Sequence, residues 1–397
     1  MEHIIIIGGG GAGAALAHDL TLRAFQVTLF EKGDLLSGTT GRHHGLLHSG
    51  ARYAVHDRAA AVECIEENRI LRRIAPQALE QNDGLFVAVA PDDEAYGTVL
   101  LDACRDSGID ATRLSATEAL NLEPALTPEI RGALQVPDAT IDAWRLAMHF
   151  FATARHNGAR LHPFCEVQWI DTRAGRVTGV EVLDYRTRKT RTVKGDLVVN
   201  AAGAWAGRVA ALAGIDVPVQ PGPGVMVAVE GRATNMVINR MRPAGEGDII
   251  VPQRGLSVLG TSLWLTEDPD EVTLPKEHIA RIRETCSLMV PAVGEAPVRS
   301  AWSAARPLIR DAGASSPQQI SRTFESYDHA VTHGVEGFVS LLGGKATTVR
   351  AMAEKTADLI CRKTGHTAPC QTHTTPLLPW RRFFAAPPGD GPSRSRA

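Results

Sequence analysis

Apolar runs stop abruptly at clusters of small residues in three widely separated places along the chain. The first is Ile4-Ile5-Ile6-Ile7, an unbroken β-branched run that ends in the glycines Gly8 to Gly11. A run without a polar position predicts a parallel strand covered on both faces. From Gly11 to Arg23, Ala12, Ala14, Ala15 and Ala17 are interspersed with Leu16 and Leu20, which predicts a helix able to lie close to a sheet. Gln26 to Phe30 returns to a strand pattern and ends at Glu31, so the first thirty or so residues form one βαβ unit. The second switch is Asp196-Leu197-Val198-Val199-Asn200-Ala201-Ala202-Gly203, followed by a predicted helix from Trp205 to Ala213. The third is Phe338-Val339-Ser340-Leu341-Leu342-Gly343-Gly344-Lys345. Its helix is predicted to run to Lys363, with Val349, Met352, Ala353, Leu359 and Ile360 at helical spacing and Gly365 as the C′ residue.

Shorter alternating runs at Gly84 to Ala90, Glu166 to Ile170, Gly179 to Leu183 and Thr190 to Val193 predict strands. Those between residues 160 and 200 are separated by turn residues such as Thr172-Arg173-Ala174-Gly175 and predict an antiparallel meander. The three distant strand-to-helix junctions imply a nucleotide-binding domain of the α/β (α+β) class built from discontinuous segments, 1–85, 136–215 and 334–370. An interleaved, antiparallel-sheet substrate domain is expected from 86–135 and 216–333. Residues 371–397, rich in Pro, Gly, Ser and Arg, are expected to be disordered.

Gly8, Gly10 and Gly13 form G-x-G-x-x-G between a strand and a helix. The first glycine permits the turn, the second lets the backbone approach a pyrophosphate, and the third lets helix and strand pack closely. Glu31, about twenty residues on, is placed to accept the hydroxyl protons of an adenosine ribose. FAD is expected rather than NAD, because a flavin reaches across the domain and needs further backbone approaches. Asn200 to Gly203 supplies one, and Gly343-Gly344 at a helix start supplies another, where negative charge on a reduced flavin would be stabilised. With no second G-x-G-x-x-G for a nicotinamide nucleotide, the electrons are expected from a small substrate.

The 397 residues are 44% hydrophobic and 22% charged, which implies a globular chain with a sizeable core. Formal charge of -2 gives no reason to expect nucleic acid or a strongly charged partner. The six cysteines, Cys64, Cys104, Cys165, Cys286, Cys361 and Cys370, are scattered without a C-x-x-C pair or a Cys/His cluster, so reduced thiols and no metal are expected. The apolar run at Ile4 is too short for a signal peptide or a span, so a cytoplasmic location is expected, at most peripheral on the inner face of a membrane.

The run Gly38-Thr39-Thr40-Gly41-Arg42-His43-His44-Gly45-Leu46-Leu47-His48-Ser49-Gly50-Ala51-Arg52-Tyr53 is the most specific part of the chain. Together with Gly8-Gly9-Gly10, Val199 to Trp205, Ala305-Arg306-Pro307-Leu308 and Gly343-Gly344-Lys345, it resembles the FAD-dependent glycerol-3-phosphate dehydrogenases. In particular it is similar to the large catalytic A subunit of the anaerobic, quinone-linked enzyme, from residue 3 to Cys370. The resemblance implies an FAD-binding fold of the D-amino-acid-oxidase and glycine-oxidase type. It implies oxidation of sn-glycerol 3-phosphate to dihydroxyacetone phosphate, with hydride passing from carbon 2 to flavin N5 and electrons leaving to a quinone or a partner redox subunit. It places Thr39, Thr40, Gly41, His44, Ala202, Gly203 and Lys345 beside the cofactor, and Arg52, Tyr53, Arg306 and Lys345 in the substrate pocket. Those large subunits continue into a cysteine-rich domain that this chain is expected to lack. Ala346 and Val349 stand where the family carries larger residues, so a reshaped pocket wall is expected.

The residues themselves fit this chemistry. Arg52, Arg306, Lys345 and Arg350 are cations near glycine junctions, suited to a phosphate dianion, and Tyr53 adds a hydroxyl. His48 is the first candidate to take the substrate hydroxyl proton, and His44 the second. The competing readings are a backbone-bonding role for either histidine, a structural ion pair for Arg306 and a solvated helix face for Arg350. Trp205 and Trp302 read as packing. Other functions compatible with the pattern are FAD-dependent oxidation of another small 2-hydroxy acid, polyol phosphate or amine, and a non-catalytic flavin-binding electron-transfer subunit. The run Pro379 to Phe384 offers an element for docking a partner or a membrane surface, but six residues among prolines are expected to be unstructured.

Overall fold

A computed structural model describes residues 2–310, 320 and 323–385; the parts of the second-domain and tail expectations that fall on 311–319, 321–322 and 386–397 lie outside them. The three apolar runs become three adjacent strands of one six-stranded sheet. In chain order its strands are β1 (His3–Ile7), β2 (Gln26–Glu31), β3 (Arg160–Pro163), β4 (Leu197–Asn200), β5 (Phe324–Asp328) and β6 (Phe338–Gly343), laid side by side as β5-β6-β4-β1-β2-β3. All neighbours run parallel except β5, which is antiparallel to β6. Ile4 pairs in register with both Leu197 and Val27, and Val199 with Val339. Because β1, β4 and β6 are parallel neighbours, their glycine- and alanine-rich ends emerge along one edge of the sheet. Ligands of open parallel sheets bind beyond that edge, outside the carboxyl ends of the strands.

Helix α1 (Gly11–Leu22) crosses back over this sheet between α3 (Ala143–His156) and α4 (Val349–Thr364), while α2 (Arg58–Ile74) carries the chain toward the second sheet. Ala14, Ala15, Ala17, Leu16 and Leu20 share one core with Phe150, Phe151, Ala353 and Ile360. Each large side chain buried there contributes about 1.5 to 3 kcal/mol. Helix α4 starts at Val349, the first of its apolar positions, after a 3-10 turn at Ala346–Thr348 tightened by Thr348, whose hydroxyl accepts the Lys345 N–H at 3.2 Å. Gly365 closes α4 at φ 71°, as expected of a C′ glycine.

The meander between 160 and 200 is an antiparallel sheet of Cys165–Arg173, Arg176–Asp184 and Lys189–Lys194. An eight-stranded sheet takes Gly84–Ala88, Thr112–Ser115 and Gly132–Val136 together with five strands between Val219 and Ile309. It departs from the purely antiparallel expectation at one place: Val237–Arg240 runs parallel to Gly84–Ala88, because the two strands come from distant segments that meet without a hairpin.

Residues 371–385 also depart from expectation, since they are anchored rather than frayed. The Leu377 N–H donates to Ile74 O at 2.8 Å, the Leu378 N–H donates to Thr153 Oγ1 at 2.9 Å, and Leu377 is buried. Trp380–Phe384 forms a short 3-10 turn whose Trp380 and Phe383 cover the outer side of α3. Aromatic burial there outweighs the lack of periodicity in the sequence. Among the described residues, no helix is long and apolar enough to cross a membrane.

Candidate functional site

Beyond the ends of β1, β4 and β6 lies a cavity of about 1630 Å³, well above the roughly 300 to 1,000 Å³ of pockets that hold one drug-sized ligand. Its floor at one end is the glycine turn. Gly8 takes φ +116°, a backbone region that excludes other residues, and a Cβ there would stand 2.5 Å from Ala201 O. A Cβ on Gly13 would come within 2.0 Å of Gly8 O, which is why α1 can lie so close to β1. At Gly10 the nearest atom to an added Cβ is Thr40 Oγ1 at 3.3 Å, so the backbone faces the cavity. The positive end of α1 points into this bare concavity, a cradle for a pyrophosphate.

Glu31, at the end of β2, lines the same cavity. Its Oε2 accepts the Gly9 N–H at 2.7 Å and its Oε1 the Gly33 N–H at 2.8 Å. Those bonds fix the carboxylate while leaving it capacity for hydroxyl donors, since a carboxylate offers about four acceptor sites. Thr40 accepts the Gly11 N–H at 2.9 Å, and Thr39 donates to Ala305 O at 2.5 Å, which ties the glycine-rich run to the second sheet. Ala202, Gly203, Gly343 and Gly344 also border the cavity. Gly344, at φ +86°, has Met352 Sδ where a Cβ would reach, 2.4 Å away. Of the sequence-predicted cofactor residues, Gly13 and Gly41 lie behind the wall; a Cβ on Gly41 would meet Leu36 O at 2.6 Å. The bare glycine cradle, the carboxylate beside it and the further backbone approaches at β4 and β6 fit FAD.

Arg52, Arg306 and Lys345 all line the cavity, with His44, His48 and Tyr53. Arg306 donates to Thr261 Oγ1 at 2.6 Å, Ser262 O at 3.3 Å and Gly222 O at 3.2 Å. Arg52 donates to Gly245 O at 2.8 Å and to the buried Asp248 carboxylate at 2.5 Å. Lys345 Nζ lies over the Tyr53 ring, 5.0 Å from its centre, and the His48 ring is 5.3 Å from the same ring.

The backbone of His48 is clamped on both sides: its N–H donates to Thr347 Oγ1 at 3.1 Å and its carbonyl accepts from Asn68 Nδ2 at 3.2 Å. His44 sits 6.2 Å from His48, ring to ring, and its Nδ1 accepts the Leu46 N–H at 3.1 Å. Burial holds the His44 pKa well below the usual imidazole range, helped by His48, His43, Arg306 and Arg52. With Nδ1 accepting from the backbone, a neutral His44 ring has Nε2 as its donor. Burial likewise lowers His43 to about 4.

Arg350 is not part of this group. It is buried in α4 against Glu67 of α2, with Nη2 2.5 Å from Oε1, and it also meets Glu354 at 2.6 Å. Both sequence expectations for it, phosphate ligand and solvated face, give way to an ion pair between two packed helices. Trp205 and Trp302 both border the cavity, and Trp302 also packs against the core around Met226 and Ala304, as expected; Trp205 donates to Asp270 at 2.8 Å and Trp302 to Arg42 O at 2.6 Å. Sequence reasoning missed Asp248, Thr261 and Asn68, which touch the site residues from more than a dozen positions away in the chain. It also missed Cys370-x-x-His373, which the fold brings within 4.8 Å of Glu354. The Arg350 guanidinium, 4.0 Å from Cys370 Sγ, already supplies the positive charge at that corner.

The model of the family described as FAD dependent oxidoreductase matches residues 3–350. The chain is 43% identical over 390 residues to the A1 subunit of the anaerobic glycerol-3-phosphate dehydrogenase of Haloferax volcanii, covering 94% of this chain and 66% of that protein. It is 38% identical over 376 residues to the A subunit of the anaerobic glycerol-3-phosphate dehydrogenase of Haemophilus influenzae, covering 94% and 67%. It thus spans about two thirds of the length of these relatives. Among solved structures, the glycerol-3-phosphate dehydrogenase from Bacillus halodurans complexed with FAD shares the fold, with a TM-score of 0.74 at 24% identity over 95% of this chain and 68% of that one. The family match takes in all three glycine junctions of the cavity, and the chain belongs to the FAD dependent oxidoreductase family.

Proposed function

We propose that the protein oxidises sn-glycerol 3-phosphate to dihydroxyacetone phosphate and hands the electrons to a quinone or a partner redox protein. The observation that carries this reading is that Arg52, Arg306 and Lys345, with His48 and Tyr53, line the same cavity as the glycine cradle. A phosphate dianion calls for several charge-assisted donors, and arginine forks suit it better than single point charges. The names of the relatives at 43% and 38% identity supply the same substrate.

FAD, which Gly8, Gly10, Glu31, Gly203 and Gly344 would hold, would supply the two-electron acceptor for the hydride that leaves carbon 2. Arg52, Arg306 and Lys345 hold the phosphate, and Tyr53 orients the Lys345 ammonium against its ring face. His48 takes the hydroxyl proton as the hydride leaves, which balances the change from secondary alcohol to ketone. The clamp from Thr347 and Asn68 fixes the main chain from which that imidazole reaches. His44, neutral and donating, completes the wall near the cofactor. In the same reading, 1–85, 136–215 and 334–370, joined by the strand Phe324–Asp328, hold the cofactor, and 86–135 with the strands between Val219 and Ile309 cover the substrate.

The test is turnover with an artificial electron acceptor on sn-glycerol 3-phosphate, glycerol and 2-hydroxyglutarate. The phosphate ester is expected to saturate at far lower concentration than glycerol. Ala346 and Val349 both line the cavity, so a faster reaction with 2-hydroxyglutarate would move the reading to a hydroxy-acid oxidoreductase.

A further inference from the structure

Asp248 precedes the strand Ile249–Gln253 and is fully buried. A carboxylate with no solvent around it is costly unless its oxygens are matched by donors. Here Oδ1 stands 2.5 Å from Arg52 Nη2, while Oδ2 accepts from Arg242 Nε at 3.4 Å and from the Gly245 N–H at 3.3 Å. The backbone around it is also fixed, since Asp248 O accepts the Arg240 N–H at 3.1 Å. The far edge of the Arg52 guanidinium is different. Its Nη1 is buried with no hydrogen-bond partner among the described residues, and Arg52 lines the cavity.

We propose that Asp248 is a positioning residue of the substrate-anion site. It grips the Arg52 guanidinium through Nη2 and so fixes that cation in the wall of the cavity that would receive the anionic group of the substrate. This rests on the reading of the cavity as a phosphate-ester site. Thr261 supports Arg306 in the same manner through its hydroxyl, at 2.6 Å. The Gly247 N–H donates to Thr261 O at 3.1 Å, which joins the two supports across neighbouring strands. Both guanidinium groups are thus held by groups fixed to neighbouring strands as well as by their own flexible stems.

The test compares FAD-loaded full-length wild type with Asp248→Ala, Asp248→Asn, Arg52→Ala and the double variant Arg52→Ala/Asp248→Asn. Two quantities are read: KM and kcat with sn-glycerol 3-phosphate, and the midpoint at which inorganic phosphate perturbs the flavin absorption. Asp248→Ala is expected to raise KM by about tenfold or more with kcat changed by only about twofold, and to move the phosphate midpoint in parallel. Asp248→Asn is expected to give a smaller shift in the same direction, and none when added to Arg52→Ala, because the two act through one contact. Wild-type KM and phosphate midpoint in a flavin-loaded Asp248→Ala would overturn the proposal, as would an Asp248→Asn effect that persists in full without Arg52. If Asp248→Ala does not fold, the asparagine variant and the double variant decide. If sn-glycerol 3-phosphate fails to reduce wild type while phosphate still binds and Asp248→Asn weakens that binding, the substrate reading falls and the positioning role stands.

Discussion

Gly13 is packed so tightly against Gly8 that a Cβ on the former would lie 2.0 Å from the carbonyl oxygen of the latter. Gly10, three positions earlier, has nothing nearer to its missing Cβ than Thr40 Oγ1 at 3.3 Å. The two glycines therefore fail differently. Gly13→Ala pushes α1 off β1 and is expected to lower both thermal stability and FAD content. Gly10→Val places its side chain where the proposed cradle would hold a pyrophosphate, and should give a folded, colourless protein whose apo stability stays within about 1 kcal/mol of wild-type apoprotein. Equal FAD content in Gly10→Val and wild type would contradict the cradle.

Arg350→Ala leaves Glu67 buried without its partner, which typically costs about 3 to 5 kcal/mol. Denaturant titration is expected to show that loss, with KM unchanged in whatever fraction folds. A raised KM at full stability would return Arg350 to the substrate site.

Arg306→Ala should act on capture instead. Losing a charged hydrogen bond to the phosphate is expected to reduce kcat/KM by about 1.5 to 3 kcal/mol. Thr261→Val, which removes only the hydroxyl under Arg306, should give a smaller change in the same direction. Saturation behaviour identical to wild type in Arg306→Ala would assign that arginine to structure.

The pH dependence of stability has an identifiable source in His18, which is buried in α1 with both ring nitrogens unpaired among the described residues. Burial lowers its pKa to about 4 from 6.5. Between those values the unfolded chain binds the extra proton, so the contribution of neutral His18 is complete above 6.5 and is lost as pH falls toward 4. Asp138 works in the opposite sense: burial raises its carboxyl from 3.8 to about 6, so the folded chain binds the proton first and gains stability as pH falls across that window. His18→Phe, beside Phe150, separates the two. It should shrink the loss of stability between about pH 7 and about pH 4.5 by roughly 2 to 3 kcal/mol. An unchanged loss would contradict a neutral, buried His18.

Much of the cofactor end was legible in the chain because it is built from local pattern. Ile4 to Gly13, Leu197 to Gly203 and Phe338 to Gly344 each carry a strand, a turn and a helix start within about a dozen residues, and periodicity reads such units directly. The substrate end was legible only as a set of residue types. Nothing near Arg52 in sequence announces Asp248, which reaches it across 196 positions. Nor does the spacing of α4 reveal that Glu67 of α2 covers Arg350, 283 positions away. The segment up to Ala385 misled for a related reason: Trp380 and Phe383 have no repeating pattern, and their burial comes from α3.

The measurement that bears most directly on the account is anaerobic stopped-flow mixing of the purified, FAD-loaded protein with sn-glycerol 3-phosphate and, separately, with glycerol. Rapid bleaching of the blue flavin absorption by the phosphate ester at concentrations where glycerol leaves the colour intact is the predicted result. Equal bleaching by both alcohols, or a folded protein that neither carries nor takes up FAD, would contradict it.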